Sequence, residues 1–161
     1  MFKTILAGLD GGETCDVVFK NALELAQSLC AELILIGVLV PADRASPTVP
    51  VTVGSTLSPA GVDDSLWSVY QERYREYEMR ELDKLKSFTQ KATAAGVKSR
   101  FYQMSGRAGW SICEQAKNHG ADLVVVGSHG RMGLSEMLLG SVSNYVMHHA
   151  AWSVLVLHDL G

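Results

Sequence analysis

Residues 127–141 read GSHGRMGLSEMLLGS, and this stretch decides how the chain is expected to fold. It follows the apolar run Leu123–Val126 and precedes a helical pattern that begins at Val142, so it is a loop between a buried strand and a helix. Its four glycines let the backbone turn sharply and approach a ligand closely. The start of the following helix adds free N–H donors and a partial positive charge. The pattern indicates an anion site, most often one for phosphate. A plain glycine-rich connection is the alternative, although such connections usually run about two to six residues.

The rest of the chain repeats the order of strand and helix. Apolar runs alternate with amphipathic helical patterns, which is typical of βαβ units and a parallel sheet. The sequence predicts a long helix from about Ser65 to Ala95, with a supporting ion pair between Glu76 and Arg80. The predicted strands are Lys3–Leu9, Leu33–Val40, Val97–Met104, Ala121–Val126 and Ser153–His158.

Five strands with right-handed helical crossovers predict an open, doubly wound parallel sheet of Rossmann-like type. Such a sheet holds its ligand in a crevice at the carboxyl ends of the strands. The segment Pro41–Asp64 interrupts the pattern, because it contains all four prolines of the chain together with several Gly, Ser and Thr residues. It is predicted to be a long irregular loop, either functional or a mobile surface insertion.

Composition narrows the class of protein further. With 161 residues, the chain is expected to form one domain over residues 1–161. Its 14 basic and 17 acidic side chains give a net charge of −3, which argues against nucleic acid as a partner. No apolar run reaches the roughly 18 residues of a membrane span. Three widely spaced cysteines are typical of reduced thiols, so we expect a cytoplasmic location and no membrane partner.

The glycine spacing resembles a known signature. Gly127-x2-Gly130-x9-Gly140-Ser141 is similar to the nucleotide-binding motif of the universal stress protein family. The likeness extends to the opening run Ile5–Gly11, to Ala121–Val126 and to Val154–Leu157, and so covers nearly the whole chain outside 41–64. The resemblance implies strand order 3-2-1-4-5, with helices on both faces of the sheet and with strands one and four as neighbours.

The resemblance also implies a set of nucleotide-binding residues. Asp10, at the end of the first strand, suits a ribose hydroxyl or a Mg²⁺ ion bound through water; capping of the Asp-Gly-Gly turn is the alternative. Val38 is expected to lie against adenine. Arg131 is expected either to add a cation at the phosphates or to remain solvated. The residues expected around the phosphates are Gly127, Gly130, Gly140, Ser141 and Ser143, with a backbone N–H from Val142.

A binding module is the function that this set favours. The resemblance implies a regulatory protein of the stress response that binds ATP, or AMP or cyclic AMP, with little or no turnover. An ATP hydrolase or adenylating enzyme using the same crevice is the alternative, and a relative that acts only through protein contacts is a third. The chain has no GxxxxGK[ST] sequence, so it is not a P-loop NTPase. The sequence does not name the physiological nucleotide or a protein partner.

The last strand predicts self-association. In the implied order Ser153–His158 is an edge strand, and Val154–Leu157 carries no charge or proline to protect it. We therefore expect a homodimer through this strand, as is frequent in the resembled family. The chain departs from that family at Gly12, where a serine is usual, and at Ser153, where the last strand usually begins with proline. The missing proline is expected to leave one more edge N–H to satisfy.

Overall fold

The computed structural model describes residues 1–9, 11, 14–41, 46–48, 64–128 and 140–158. Strands and helices alternate along the described residues. Most of the segment between the second strand and the second helix lies outside the described residues. The elements are β1 Thr4–Leu9, α1 Cys15–Leu29, β2 Glu32–Leu39, α2 Asp64–Ala94, β3 Ser99–Ser105, α3 Ala108–Asn118, β4 Leu123–Gly127, α4 Ser141–His149 and β5 Ser153–Leu157.

The five strands form one parallel sheet in the order β3-β2-β1-β4-β5. The implied strand order is therefore confirmed, and so is the doubly wound α/β class. Apart from Thr4 and Glu32 at their starts and Gly127 at the end of β4, the residues of the central strands are apolar and buried, because helices cover both faces of the sheet.

Two hydrophobic cores lie on opposite faces of the sheet. Alternate residues of β1 point to different faces: Ile5 and Ala7 pack with α1 and α2, whereas Leu6 packs with α3 and α4. Phe19 of α1 and Phe88 of α2 stack with ring centroids 4.2 Å apart on the first face. On the second face, Ile112 and Val146 are fully buried.

The predicted helix over Ser65–Ala95 is confirmed in extent, but some details of it are wrong. Ala95, the predicted last residue, lies one residue beyond the end of α2 and is exposed. The predicted pair Glu76–Arg80 is replaced by an approach of Arg80 Nε to Glu81 Oε1 at 3.4 Å. Arg80 also lies over the ring of Tyr77, 5.4 Å from its centroid. Its side chain therefore contacts Tyr77 and Glu81 instead of Glu76.

The two edges of the sheet differ in charge. At the β3 edge, Lys98 and Arg100 both approach Glu32, at 3.4 and 2.7 Å. The β5 residues Val154–Leu157 are half-buried and carry no charge. The Ser153 N–H, which a proline would lack, donates within the chain to the Asp122 carbonyl at 3.2 Å, so this additional donor is satisfied without a second copy. No described helix combines the length and apolar character that crossing a membrane requires.

Candidate functional site

The crevice of this sheet lies where the connections leave β1 in opposite directions. The register pairs Leu9 with Gly37 of β2 and Ala7 with Val125 of β4. The carboxyl ends of β1, β2 and β4 therefore meet at one edge of the sheet. In an open parallel sheet this edge is where a ligand binds.

Backbone hydrogen bonds bring the start of α4 to the end of β4. The Ser128 N–H donates to the Leu157 carbonyl at 2.7 Å, and the Gly140 N–H donates to the Ser128 carbonyl at 2.7 Å. The second bond joins the two ends of the glycine loop, whose residues 129–139 lie outside the described part of the chain. Gly127, Gly140 and the first residues of α4 are thus held together.

The N-terminus of α4 offers donors without a partner in the helix. Its N-cap residue is Gly140, which has no side chain to cap it. The first helical bond runs from the Asn144 N–H to the Gly140 carbonyl at 2.9 Å. The N–H groups of Ser141, Val142 and Ser143 precede this bond, so they have no acceptor within α4. Three such donors and the helix dipole favour an anion.

Ser143 and Ser141 have different environments. Ser143 is fully buried, and its hydroxyl donates to the Gly140 carbonyl at 3.0 Å. That bond fixes the geometry of the first turn. Ser141 is exposed, so its hydroxyl is free to meet a ligand at the helix start.

Gly127 allows the start of α1 to approach β4 closely. A Cβ atom at this position would overlap Thr14 Oγ1 and lie 2.9 Å from Thr14 Cβ. Thr14 is itself buried and immediately precedes α1. The structural role of Gly127 is therefore this close packing, which brings the β1–α1 connection against the end of β4.

Val38 contributes its main chain to the crevice at the carboxyl ends of the strands. Its side chain is buried in the core shared with α3. The Leu39 carbonyl accepts from the Gly106 N–H at 2.9 Å on the β3 side. Because lateral direction alternates along a strand, the Val38 carbonyl faces the β1 side. The last paired residue of β1 is Leu9, opposite Gly37, so this carbonyl lies at the crevice.

Three predicted site residues, Asp10, Gly130 and Arg131, lie outside the described part of the chain, as does Gly12, where the chain departs from the family pattern. Their roles remain predictions. Within the described ranges, no group of three or more His, Cys, Asp or Glu side chains is arranged to hold a metal ion.

Sequence reasoning missed the contribution of α2 to the crevice. A cleft at the carboxyl edge is lined by Leu9, Gly11 and Val38 on the sheet side and by Glu81 and Leu85 of α2 on the other. Glu81 was not predicted as a site residue, because the sequence does not show which of the many charged residues of this helix faces the sheet. Its only sequence signal is its spacing of four residues from Tyr77 and Leu85, which places it on the same face of the helix as these two residues.

A doubly wound parallel sheet in which a glycine-rich sequence follows β4 defines the class of the protein as α/β, with its candidate ligand site at the carboxyl ends of the strands. The model of the universal stress protein family matches residues 1–57 and 42–158. The chain belongs to this family.

Relatives and solved structures agree with that assignment. A universal stress protein of Synechocystis sp. is 33% identical over 155 residues, covering 96% of this chain and 97% of its own. YxiE of Bacillus subtilis is 30% identical over 156 residues, covering 97% and 99%. The structure of MJ0577, from Methanocaldococcus jannaschii, superposes with a TM-score of 0.75 at 23% identity, covering 99% and 97%. A universal stress protein crystallised in complex with cAMP has a TM-score of 0.61 at 22% identity, covering 98% and 97%. At these sequence identities the two solved structures support the fold alone.

Proposed function

We propose that this protein binds an adenine nucleotide in the crevice at the carboxyl ends of β1 and β4. It would hold the nucleotide with little or no turnover and act as a regulatory protein of the stress response. The observation that carries the proposal is the uncapped start of α4, which is fixed beside the end of β4 by the bond from Gly140 to Ser128. A helix terminus of this kind is suited to phosphate.

The residues present fit such a ligand. The phosphates would lie against Gly127, Gly130 and Gly140, and against the first turn of α4 from Ser141 to Ser143. Arg131 would add a cation there. The base would meet the main chain at Val38, and Asp10 would accept a hydrogen bond from the ribose or hold Mg²⁺ through water. Residues 1–161 would form one domain around this site.

The relative crystallised with cAMP supports the choice of an adenine nucleotide over other anions. ATP, AMP and cyclic AMP remain the ligands to compare. A slow ATP hydrolase or an adenylating enzyme is the second candidate, since the same crevice would bind the same substrate. A turnover well below about 1 per second, the lower end of typical enzymes, is expected for a binding module.

Ser141 provides a sharp test of the phosphate site. Ser141→Asp adds a carboxylate at the start of α4, where the helix dipole stabilises negative charge by about 0.3–1 kcal/mol. The same carboxylate would repel a phosphate. We expect the unliganded variant to unfold at the same temperature as the wild type or higher, yet to lose the stabilisation by ATP.

The measurement is thermal unfolding with and without ATP, AMP and cyclic AMP, each with and without Mg²⁺. For the wild type, a ligand at one hundred times its dissociation constant adds about 2.7 kcal/mol of stability. Asn144→Asp is the matched control, because it adds the same charge one turn later at an exposed position. An unchanged wild-type unfolding temperature with all three nucleotides would refute the proposed function.

A further inference from the structure

Helix α2 directs a carboxylate at the crevice. The Glu81 side chain is only 19% exposed. A Cβ atom built on Gly11 would lie 3.9 Å from Glu81 Oε2, so this oxygen faces the turn that follows β1. The same narrow cleft is lined by Leu9 and Val38. Glu81 therefore stands across the cleft from the ends of β1 and β2.

The two cations beside Glu81 on α2 are directed away from this oxygen. Arg80 approaches the other oxygen, Oε1, at 3.4 Å, and its own side chain is 62% exposed. Lys84 lines the cleft, but its Nζ lies over the Phe88 ring, 5.8 Å from the centroid. A carboxylate that is mostly removed from water requires hydrogen-bond donors. At Oε2, a ligand in the cleft can supply them.

The remaining walls of the cleft define the kind of donor. Leu9, Leu39, Leu85 and Phe88 make these walls mainly apolar, with Gln103 as a polar member, and apolar walls suit the faces of a planar ring. The Val38 carbonyl at the end of β2 is a second acceptor, since its direction alternates with that of Leu39. Carboxylate and carbonyl oxygens accept hydrogen bonds and do not donate them. Two acceptors that face each other across one cleft match an amino group with two hydrogens.

We propose that Glu81 is a specificity-determining residue that, together with the Val38 carbonyl, accepts the two hydrogens of the 6-amino group of adenine. A purine with a carbonyl at this position would present an acceptor to two acceptors and be rejected. The inference rests on the proposed function and goes beyond it, because it assigns recognition of the base to α2.

Inosine triphosphate tests this assignment, since it replaces the 6-amino group of ATP by a carbonyl. Binding of ATP, inosine triphosphate and 2′-deoxy-ATP is measured by titration calorimetry for the wild type, Glu81→Gln and Glu76→Gln. Glu76 is an exposed glutamate of the same helix, so its variant is the matched control. Thermal unfolding without ligand checks that all three proteins fold.

The wild type is expected to prefer ATP over inosine triphosphate by about tenfold or more, since unpaired polar groups in a site discriminate strongly. Glu81→Gln is expected to bring this ratio close to one, because an amide also donates, whereas Glu76→Gln leaves the ratio unchanged. The ratio of ATP to 2′-deoxy-ATP is expected to stay constant in all three proteins.

Two results would overturn the inference while leaving the proposed function intact. One is ATP binding with the same preference over inosine triphosphate in the wild type and in Glu81→Gln. The other is a change confined to the ratio of ATP to 2′-deoxy-ATP, which would assign Glu81 to the ribose. Failure of the wild type to bind any of the three nucleotides would refute the proposed function, and this inference with it.

Discussion

Asp122 shows how one side chain aligns two strands. Its Oδ2 atom accepts hydrogen bonds from the backbone N–H groups of Lys3 at 2.7 Å and Thr4 at 2.9 Å. The Asp122 N–H donates in turn to the Thr4 carbonyl at 2.9 Å. These bonds tie the start of β1 to the start of β4. They thereby set the register that brings the carboxyl ends of the same strands together at the crevice.

The backbone donors of Lys3 and then Thr4 lower the pKa of Asp122 below its ordinary value. A carboxyl with a lowered pKa in the folded state stabilises the fold above its unfolded pKa, about 3.9, and this contribution is lost as the pH falls through the folded value. We therefore expect Asp122→Asn to be less stable than the wild type at pH 7, with a difference that shrinks in acid. Urea unfolding between pH 7 and pH 2 measures it.

Asp83→Asn is the control for this experiment. Asp83 is an exposed carboxylate of α2 whose partner is Lys86 at 3.4 Å on the surface, and such pairs contribute little. A stability difference between Asp122→Asn and the wild type that stays constant from neutral to acidic pH would contradict the role given to Asp122.

At the scale of elements, α2 consists of two unlike parts. Toward its C-terminus, Leu85, Phe88 and Ala92 are almost fully buried against the sheet. Toward its N-terminus, Trp67 and Val69 are 44% and 50% exposed. Trp67 begins a row of aromatic rings in which successive centroids lie 5.4–6.2 Å apart. The stability that α2 gives to the fold should therefore come mainly from its C-terminal part.

Truncating one aromatic ring in each part tests that division. Phe88→Ala removes a buried ring that stacks on Phe19 and is expected to cost about 3–5 kcal/mol of unfolding free energy. Trp67→Ala is expected to change the unfolding free energy by less than about 1 kcal/mol, as exposed substitutions usually do. Urea denaturation gives both values. A similar loss for Trp67→Ala would mean that this ring is packed in solution.

The order of elements was predictable because hydrophobic period is a local property, and the strand order followed from the family resemblance. Details that depend on tertiary contacts were not. Ala95 continues the helical spacing, yet the helix ends one residue before it. Arg80 lies four residues after Glu76, which is the spacing of a helical ion pair, but its guanidinium group packs over the ring of the buried Tyr77 instead.

The same limit applies to the candidate site. The glycine spacing identified the loop and the start of α4, since glycine and a helix terminus leave a mark in the sequence. For Glu81 the only sequence signal is its spacing of four residues from Tyr77 and Leu85, because the direction of its side chain depends on how α2 lies across the sheet. The predicted roles of Asp10, Gly130 and Arg131 remain hypotheses, since the structure describes none of the three.

The whole molecule is proposed to be a homodimer through β5. This strand is an edge of the sheet, its residues Val154–Leu157 are half-buried and uncharged, and the opposite edge carries Lys98 and Arg100. A second copy paired along β5 would cover this apolar edge.

A charge placed on β5 tests this interface. Val156→Lys puts an ammonium group on the edge that would be buried between two copies, so we expect the wild type to be a dimer at micromolar concentration and the variant to be a monomer. Light scattering coupled to size-exclusion chromatography gives the mass, and thermal unfolding shows whether each protein is folded.

Tyr102→Lys is the matched control, because Tyr102 is a half-buried residue of the opposite edge strand and its replacement should leave the dimer intact. A monomeric wild type, or a folded Val156→Lys variant that stays dimeric, would show that β5 is not the interface, since a lysine at a desolvated strand edge has no partner to offset its burial.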